Sequence, residues 1–297
     1  MEAVTDTIFR HVVAKAAPPD IYFTEFTNTD SFCSPKGKHS TESRLRFTPD
    51  EGPLVAQIWG TNPEHFAQMA HGLRDMGYAA IDINMGCPDR TITKHGACSA
   101  LIENPELASK IIAATKTAGL PVSVKTRIGF RQQKTEEWIG FLLRQDLSAL
   151  TVHARTAKEM SKVPARWEEI AKAVQLRDQL APQTVIIGNG DVADRAEGLR
   201  RVAETGADGI MIGRGVFHDV FCFEPEPREH SQNEYFDLLR YHLDLWEQTW
   251  QGEANYHALK RFFKIYVKNF PGASELREQL MNTTNVDEAR QLIAAAR

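Results

Sequence analysis

Cys87 lies in the run Asn84-Met85-Gly86-Cys87-Pro88, where a carboxamide and a thiol share one glycine-containing turn. A thiol can serve as a general acid or as a nucleophile, and its protonation decides which. Near an unperturbed pKa of about 8.5 it is mostly protonated at neutral pH, as a proton donor must be. No residue beside Cys87 in the sequence offers a base to make it a thiolate. The competing reading is a small hydrophobe filling a core, and a turn between a strand and a polar loop is a poor place for that. Cys98, further along the same stretch, is expected to be a bystander.

Other residues could hold or polarise a ligand. Asn189-Gly190-Asp191 and Gly213-Arg214-Gly215 have the shape of a phosphate site, with glycines exposing backbone N–H groups and Arg214 adding a fixed charge. Read otherwise, they are two tight turns. Lys125 and His153 could polarise a bound heterocycle or carry a proton, or could be structural hydrogen-bonding residues. With Gln57, Arg127 and Arg155 the set describes a phosphorylated planar cofactor with a cysteine acid to one side.

The elements that must position these groups follow from periodicity. Ile81 and Ile83 alternate with Asp82 and Asn84 as in a strand, Gly86 permits a sharp turn, and Pro88 ends the ladder. A loop then runs through Lys94, His95 and Gly96 to a helix after Asn104. The same alternation predicts strands at Ile21–Phe26, Pro53–Gly60, from Pro121, at Ala149–Arg155, at Thr184–Asp191 and at Gly209–Gly215, with helices between them and a polar loop from Phe26 to Arg46. Seven strands alternating with helices predict an α/β (β/α)8 barrel of the TIM type with one strand missing, which is expected ahead of Met1. Every candidate residue named so far then falls at a strand's carboxyl end, where such barrels carry their sites.

Phe223 to His230 reads as a linker, so residues 1–228 are expected to form the catalytic barrel and 229–297 a small helical bundle. A helix from Tyr256 to Phe270 would align Lys260, Lys264 and Lys268 beside Arg261, with Phe262, Tyr266 and Phe270 on another side. That stripe is either a basic binding surface or a solvated face.

At 297 residues with 42% hydrophobic and 25% charged residues, the composition is that of a soluble globular protein. No apolar run approaches the roughly 20 residues of a membrane span, and the expected location is cytoplasmic. The four cysteines show no metal-ligand spacing, so no metal is expected. A net charge of −4 attracts no nucleic acid globally, so such a partner would need a local basic surface.

IDINMGCP with KHGACSALIENP, VSVKTRIG, LTVHART, IIGNGD and MIGRG, in this order, resemble the tRNA dihydrouridine synthases, flavoenzymes that reduce uridine in transfer RNA. RFFKIYVKNFPGASELREQL looks like that family's helical tRNA-recognition domain. The resemblance implies that Met1, Glu2, Gln57, Lys125, His153, Asn189, Gly190, Asp191, Gly213 and Arg214 bind FMN. It implies that Cys87 is the general acid and that Asn84 and Arg127 orient the target base. It further implies that NADPH reduces FMN, that flavin N5 gives hydride to uracil C6 and that Cys87 protonates C5. Lys94, His95, Arg155 and the lysine stripe with Arg261 are candidates for holding the tRNA. The alternatives are an FMN barrel acting on a small pyrimidine, which would need no helical domain, and a non-catalytic tRNA-binding protein, which would carry no reducible flavin.

Overall fold

The computed structural model describes residues 4–252 and 254–296. Its centre is a curled, wholly parallel sheet of eight short strands: β1 (Tyr22–Phe23), β2 (Thr27–Asn28), β3 (Leu54–Trp59), β4 (Ala80–Met85), β5 (Val122–Arg127), β6 (Ala149–His153), β7 (Val185–Asn189) and β8 (Gly209–Met211). They run in the order β1-β3-β4-β5-β6-β7-β8, with β2 also pairing β3. β1 and β2 occupy one position in the sheet, so the sheet has the seven positions expected from the sequence.

The expected strand Ile21–Phe26 is divided. Phe23 pairs with Val55, and pairing resumes with Thr27 on Ile58, so four steps along one chain match three along the other. The extra residue interrupts the ladder, as in a bulge. The Thr24 hydroxyl fills part of the gap by accepting from Gln57 N–H at 3.0 Å. The segment expected as a polar loop to Arg46 is instead mostly helical, with helices at Thr29–Cys33 and Lys38–Leu45. Asn28 caps the first of these through a bond from Ser31 N–H at 2.8 Å, a local signal among polar residues that composition alone conceals.

β8 and β1 end the strand order, and between them lies a cleft of about 700 Å³. Tyr22 and Phe23 line one side, Gly209 to Met211 the other, and Phe9 and Val13 of the first helix, Thr7–Ala16, overlie it. Among the described residues no strand lies between β8 and β1.

Alternation along the strands sorts the residues. Ile81, Ile83, Val124, Leu150, Val152 and Ile186 are fully buried and join a core with the helices at Pro63–Asp75, Pro105–Lys116, Thr135–Leu143 and Trp167–Leu180. The opposite face is polar. Register places Gln57 beside Asp82, Asp82 beside Ser123, Asn84 beside Lys125, Arg127 beside His153, and His153 beside Asn189.

A second core gathers the C-terminal helices Gln232–Trp250, Ala273–Asn282 and Val286–Ala295 around Phe236, Leu239, Phe262, Phe263 and Tyr266. Ile8, Phe9 and Val12 of the first helix belong to this core, as do Val216 and Val220. No helix among the described residues is long and apolar enough to cross a membrane.

The helix expected from Tyr256 to Phe270 does not form. Tyr256–Phe262 is a 3₁₀ helix, Phe263–Tyr266 is one α turn, and the chain leaves through Asn269 at φ 60. Pro271 disfavours helix at Phe270, so the run Asn-Phe-Pro-Gly was the available signal. Three residues per turn also break the i, i+4, i+8 stripe. Lys260 is buried and its Nζ donates to Met281 O at 2.7 Å. Lys268 Nζ donates to His218 O at 2.5 Å and lies 3.6 Å from the Asp219 carboxylate. Arg261 and Lys264 remain exposed.

Candidate active site

β4 ends at Met85, and Gly86 and Cys87 form the turn that follows. The N–H groups of Gly86 and Cys87 donate to Asn84 Oδ1 at 3.0 and 2.9 Å. From β5, Arg127 Nε donates to Gly86 O at 2.7 Å, while its Nη1 reaches the carbonyls of Thr156 and Met160 at 3.0 and 2.9 Å. The thiol therefore stands on a turn tied from both sides. The guanidinium of Arg127 is buried, and what it holds directly is this turn and the loop after β6.

Cys98 is brought to Cys87 by the loop. Ser99 N–H donates to Cys87 O at 3.2 Å, and Cys98 takes a left-handed conformation, φ 53, with its side chain fully buried. A hydrogen bond from Cys98 lowers the Cys87 pKa to about 7, against the opposing effect of burial. Two expectations are corrected here: Cys98 is a partner rather than a bystander, and Cys87 is poised near neutrality rather than near 8.5.

Across the sheet, Lys125 Nζ donates to Asn189 Oδ1 at 3.1 Å, and Asn189 Nδ2 donates to Met211 O at 2.8 Å. These bonds tie β5, β7 and β8 together. Burial holds Lys125 at a pKa of about 8, below an ordinary lysine, with Arg127 adding to the effect. Arg155 Nη1 donates to His153 Nε2 at 3.1 Å. A guanidinium has no acceptor, so Nε2 is bare and any proton on the ring sits on Nδ1. Burial, with Lys125, Arg127, Arg155 and Arg214 nearby, lowers the His153 pKa to about 2 and keeps the ring neutral.

Arg155 also pairs with Asp191 and donates to Val163 O, so this buried side chain fastens the loop after β6. Asp191 additionally accepts from Ala165 N–H at 3.0 Å and lies 3.8 Å from Arg214. Gly190, at φ 128, admits no side chain, because a Cβ there would come within 2.9 Å of Ala165 and 3.2 Å of the His153 ring. Arg214 is exposed and follows Gly213 beyond the end of β8. Lys94 and His95 are exposed on the loop after β4, while Met1 and Glu2 lie outside the described residues.

Below Asn84 is a layer that reading by strand ends passed over. Gln57 Nε2 donates to Asp82 Oδ2 at 2.7 Å, Asn84 Nδ2 donates to Gln57 Oε1 at 3.1 Å, and Ser123 Oγ donates to Asp82 Oδ1 at 2.6 Å. The signal was present in the sequence: Asp82 shares the phase of Asn84 in an otherwise apolar strand. A thiol and a cationic surface thus meet at the carboxyl end of one sheet, a setting that suits a ligand carrying negative charge.

Comparison with known proteins bears on this geometry. The family described as Dihydrouridine synthase (Dus) matches residues 1–297. "Probable tRNA-dihydrouridine synthase" of Staphylococcus epidermidis is 54% identical over 295 residues, spanning 99% of this chain and 90% of the relative. "Probable tRNA-dihydrouridine synthase 2" of Bacillus subtilis is 52% identical over 99% of this chain and 91% of its own length. Among solved structures, a variant of NCR from Zymomonas mobilis aligns with 14% identity over 73% of this chain and 78% of its own at a TM-score of 0.50, a likeness of fold alone. On the match of the whole sequence and on identities above one half, the chain belongs to the dihydrouridine synthase family.

Proposed function

We propose that this protein reduces uridines in tRNA to 5,6-dihydrouridine with FMN as the bound cofactor, NADPH as the reductant and Cys87 as the general acid. The observation that carries the reading is the Cys87 turn, fixed by Asn84 and Arg127 beside a cationic, polar sheet face. The residues fit an anionic planar group: four cations gather around His153, and Gly190 lets the backbone after β7 pack directly against the His153 ring. When bound there, FMN would supply hydride to the pyrimidine. The chain's own part is to seat the cofactor with Gln57, Lys125, His153, Asn189, Gly190, Asp191, Gly213 and Arg214, with Met1 and Glu2 as further members of the set. Cys87 Sγ delivers the proton, and Asn84, Arg127 and Arg155 shape the place where the base sits. The uracil must leave its stack to reach that place. The test is direct: purified protein should be yellow and should form dihydrouridine in tRNA at the expense of NADPH. A colourless protein, or one that oxidises NADPH only with free pyrimidines, would sink the reading.

The basic surface for tRNA lies at the mouth of the sheet. Arg90 and Lys94 follow β4, Arg131 follows β5, and Lys158 and Lys162 follow β6; all five are exposed. They share the carboxyl-end side with Cys87, and among the described residues none is held by a carboxylate. Replacing Lys94, Lys158 and Lys162 with glutamine should weaken tRNA binding and flatten the slope of log affinity against log salt by roughly 0.7 to 0.9 per lost contact. Filter binding across a salt series measures both. An unchanged slope would place the RNA elsewhere, with Arg261 and Lys264 the next to vary.

The thiol pair predicts a pH profile. The acid must be protonated, and with a Cys87 pKa of about 7 turnover should fall as pH rises through that value. Cys98→Ala removes the bond that lowers this pKa, so the decline should move to higher pH and the variant should outpace the wild type on the alkaline side. Unshifted profiles of kcat would show that Cys98 does not set the ionisation of Cys87.

A further inference from the structure

We propose that Asp82 is a positioning residue for this reaction: its carboxylate fixes the orientation of the Gln57 carboxamide and, through Asn84, the polarity of a hydrogen-bond chain that ends on the N–H of Cys87. The inference rests on the function proposed above. A carboxamide's oxygen and nitrogen are nearly alike in shape, so only its partners decide which way it faces. Backbone N–H groups can only donate, hence the atom of Asn84 that meets Gly86 and Cys87 must be Oδ1, and Nδ2 turns to Gln57. Gln57 must then offer Oε1 to Asn84 and Nε2 to its other neighbour, which has to be an acceptor. Asp82 Oδ2 is that acceptor, at 2.7 Å. The two ends of the chain independently require the same orientation of both amides.

Asp82 is fully buried and lies one row below Asn84 and Lys125. Ser123 Oγ holds its second oxygen at 2.6 Å. Burial raises its pKa to about 6; Ser123 and Gln57, its uncharged neighbours on β5 and β3, and Lys125, the charged one, act in the opposite direction. A buried carboxylate is a costly occupant for an inner strand position, and the hydrogen bonds from Gln57 and Ser123 offset that cost. What the strand gains is an acceptor aimed at Gln57. If that acceptor is lost, Gln57 Nε2 has no partner, the carboxamide is held from the Asn84 side alone, and its grip on Asn84 Nδ2 loosens.

Asp82→Val and Asp82→Asn separate positioning from structural support. Valine suits a strand but accepts nothing. Asparagine can aim Oδ1 at Gln57 by turning Nδ2 toward Ser123, whose hydroxyl accepts as well as donates. Each variant is measured for melting temperature, for FMN affinity by flavin fluorescence, and for kcat and KM at saturating FMN and NADPH on tRNA lacking dihydrouridine. Asp82→Asn should melt close to the wild type and Asp82→Val lower, because valine leaves the Gln57 and Ser123 donors without an acceptor and Lys125 without its nearby carboxylate. Asp82→Asn should keep kcat within about twofold, whereas Asp82→Val should lose at least about tenfold with KM for tRNA unchanged and with weaker FMN affinity. A merely structural role would lower only the fraction folded at the assay temperature, so kcat per folded, flavin-loaded protein would stay at the wild-type value. Wild-type kcat in Asp82→Val, or an equal loss in both variants, would overturn the proposal. If Asp82→Val does not fold, Asp82→Ala makes the same comparison. A wild type that binds FMN yet forms no dihydrouridine would overturn the functional reading instead, and the FMN affinities of the variants would still decide for or against Asp82.

Discussion

Cys87→Ala is expected to lower dihydrouridine formation by about 100- to 10,000-fold, the usual worth of a positioned general acid. Flavin content, flavin reduction by NADPH and tRNA affinity should stay at wild-type levels. The selectivity follows from how the turn is held: Asn84 Oδ1 grips the N–H groups of Gly86 and Cys87, and Arg127 grips the Gly86 carbonyl, so the turn keeps these bonds when the thiol and its bonds from Cys98 and the Asp89 backbone are lost. Cys87→Ser keeps nearly the same shape but offers a hydroxyl, a far weaker acid, and should fall almost as low. Digestion of product tRNA and mass spectrometry of its nucleosides measures the yield, while stopped-flow absorbance follows the flavin. If either variant turned over within a few fold of the wild type, the proton would have to come from another group.

How far the site could be read from the sequence depended on the range of the forces involved. The strand ends carrying Asn84, Lys125, His153 and Asn189 were legible because period-two alternation and a following glycine or proline are local signals. The parallel sheet and its seven strand positions followed from the alternation of strands with helices. What escaped was pairwise. Cys98 reaches Cys87 only because the loop between them folds back and Cys98 takes a left-handed conformation, which no propensity assigns to cysteine. Asp82 becomes an anchor only once β3 and β5 lie on either side of it. The lysine stripe failed for the converse reason. The expected helix Tyr256–Phe270 is 3₁₀ to Phe262 and a single α turn to Tyr266, so the i, i+4 spacing does not hold and Lys268 lies beyond the helix.

Glu51→Ala should destabilise the protein by about 3 to 5 kcal/mol, the cost of leaving one member of a buried ion pair alone. Arg10 Nε meets Glu51 Oε2 at 2.5 Å, and both side chains are only 3% exposed. Glu51 Oε1 accepts from Thr7 Oγ1 at 2.5 Å and from Thr48 N–H at 2.9 Å. Arg10 Nη1 and Nη2 donate to Thr5 O at 2.6 Å and Arg46 O at 2.9 Å. Removing Glu51 thus leaves a desolvated guanidinium without its carboxylate hydrogen-bond partner, and it unfastens the first helix from the segment leading into β3. That helix packs on the C-terminal helices and flanks the cleft between β8 and β1, and Met1 and Glu2 of the proposed FMN set lie just ahead of it in the chain. Flavin content should therefore fall with stability in Glu51→Ala, although Glu51 is not among the residues proposed to hold the cofactor. Replacing both partners, Arg10→Met with Glu51→Leu, removes the stranded charge and should recover much of the loss. Urea unfolding of the three proteins measures the differences. If the double variant were as unstable as Glu51→Ala, the cost would come from lost helix anchoring rather than from an uncompensated charge.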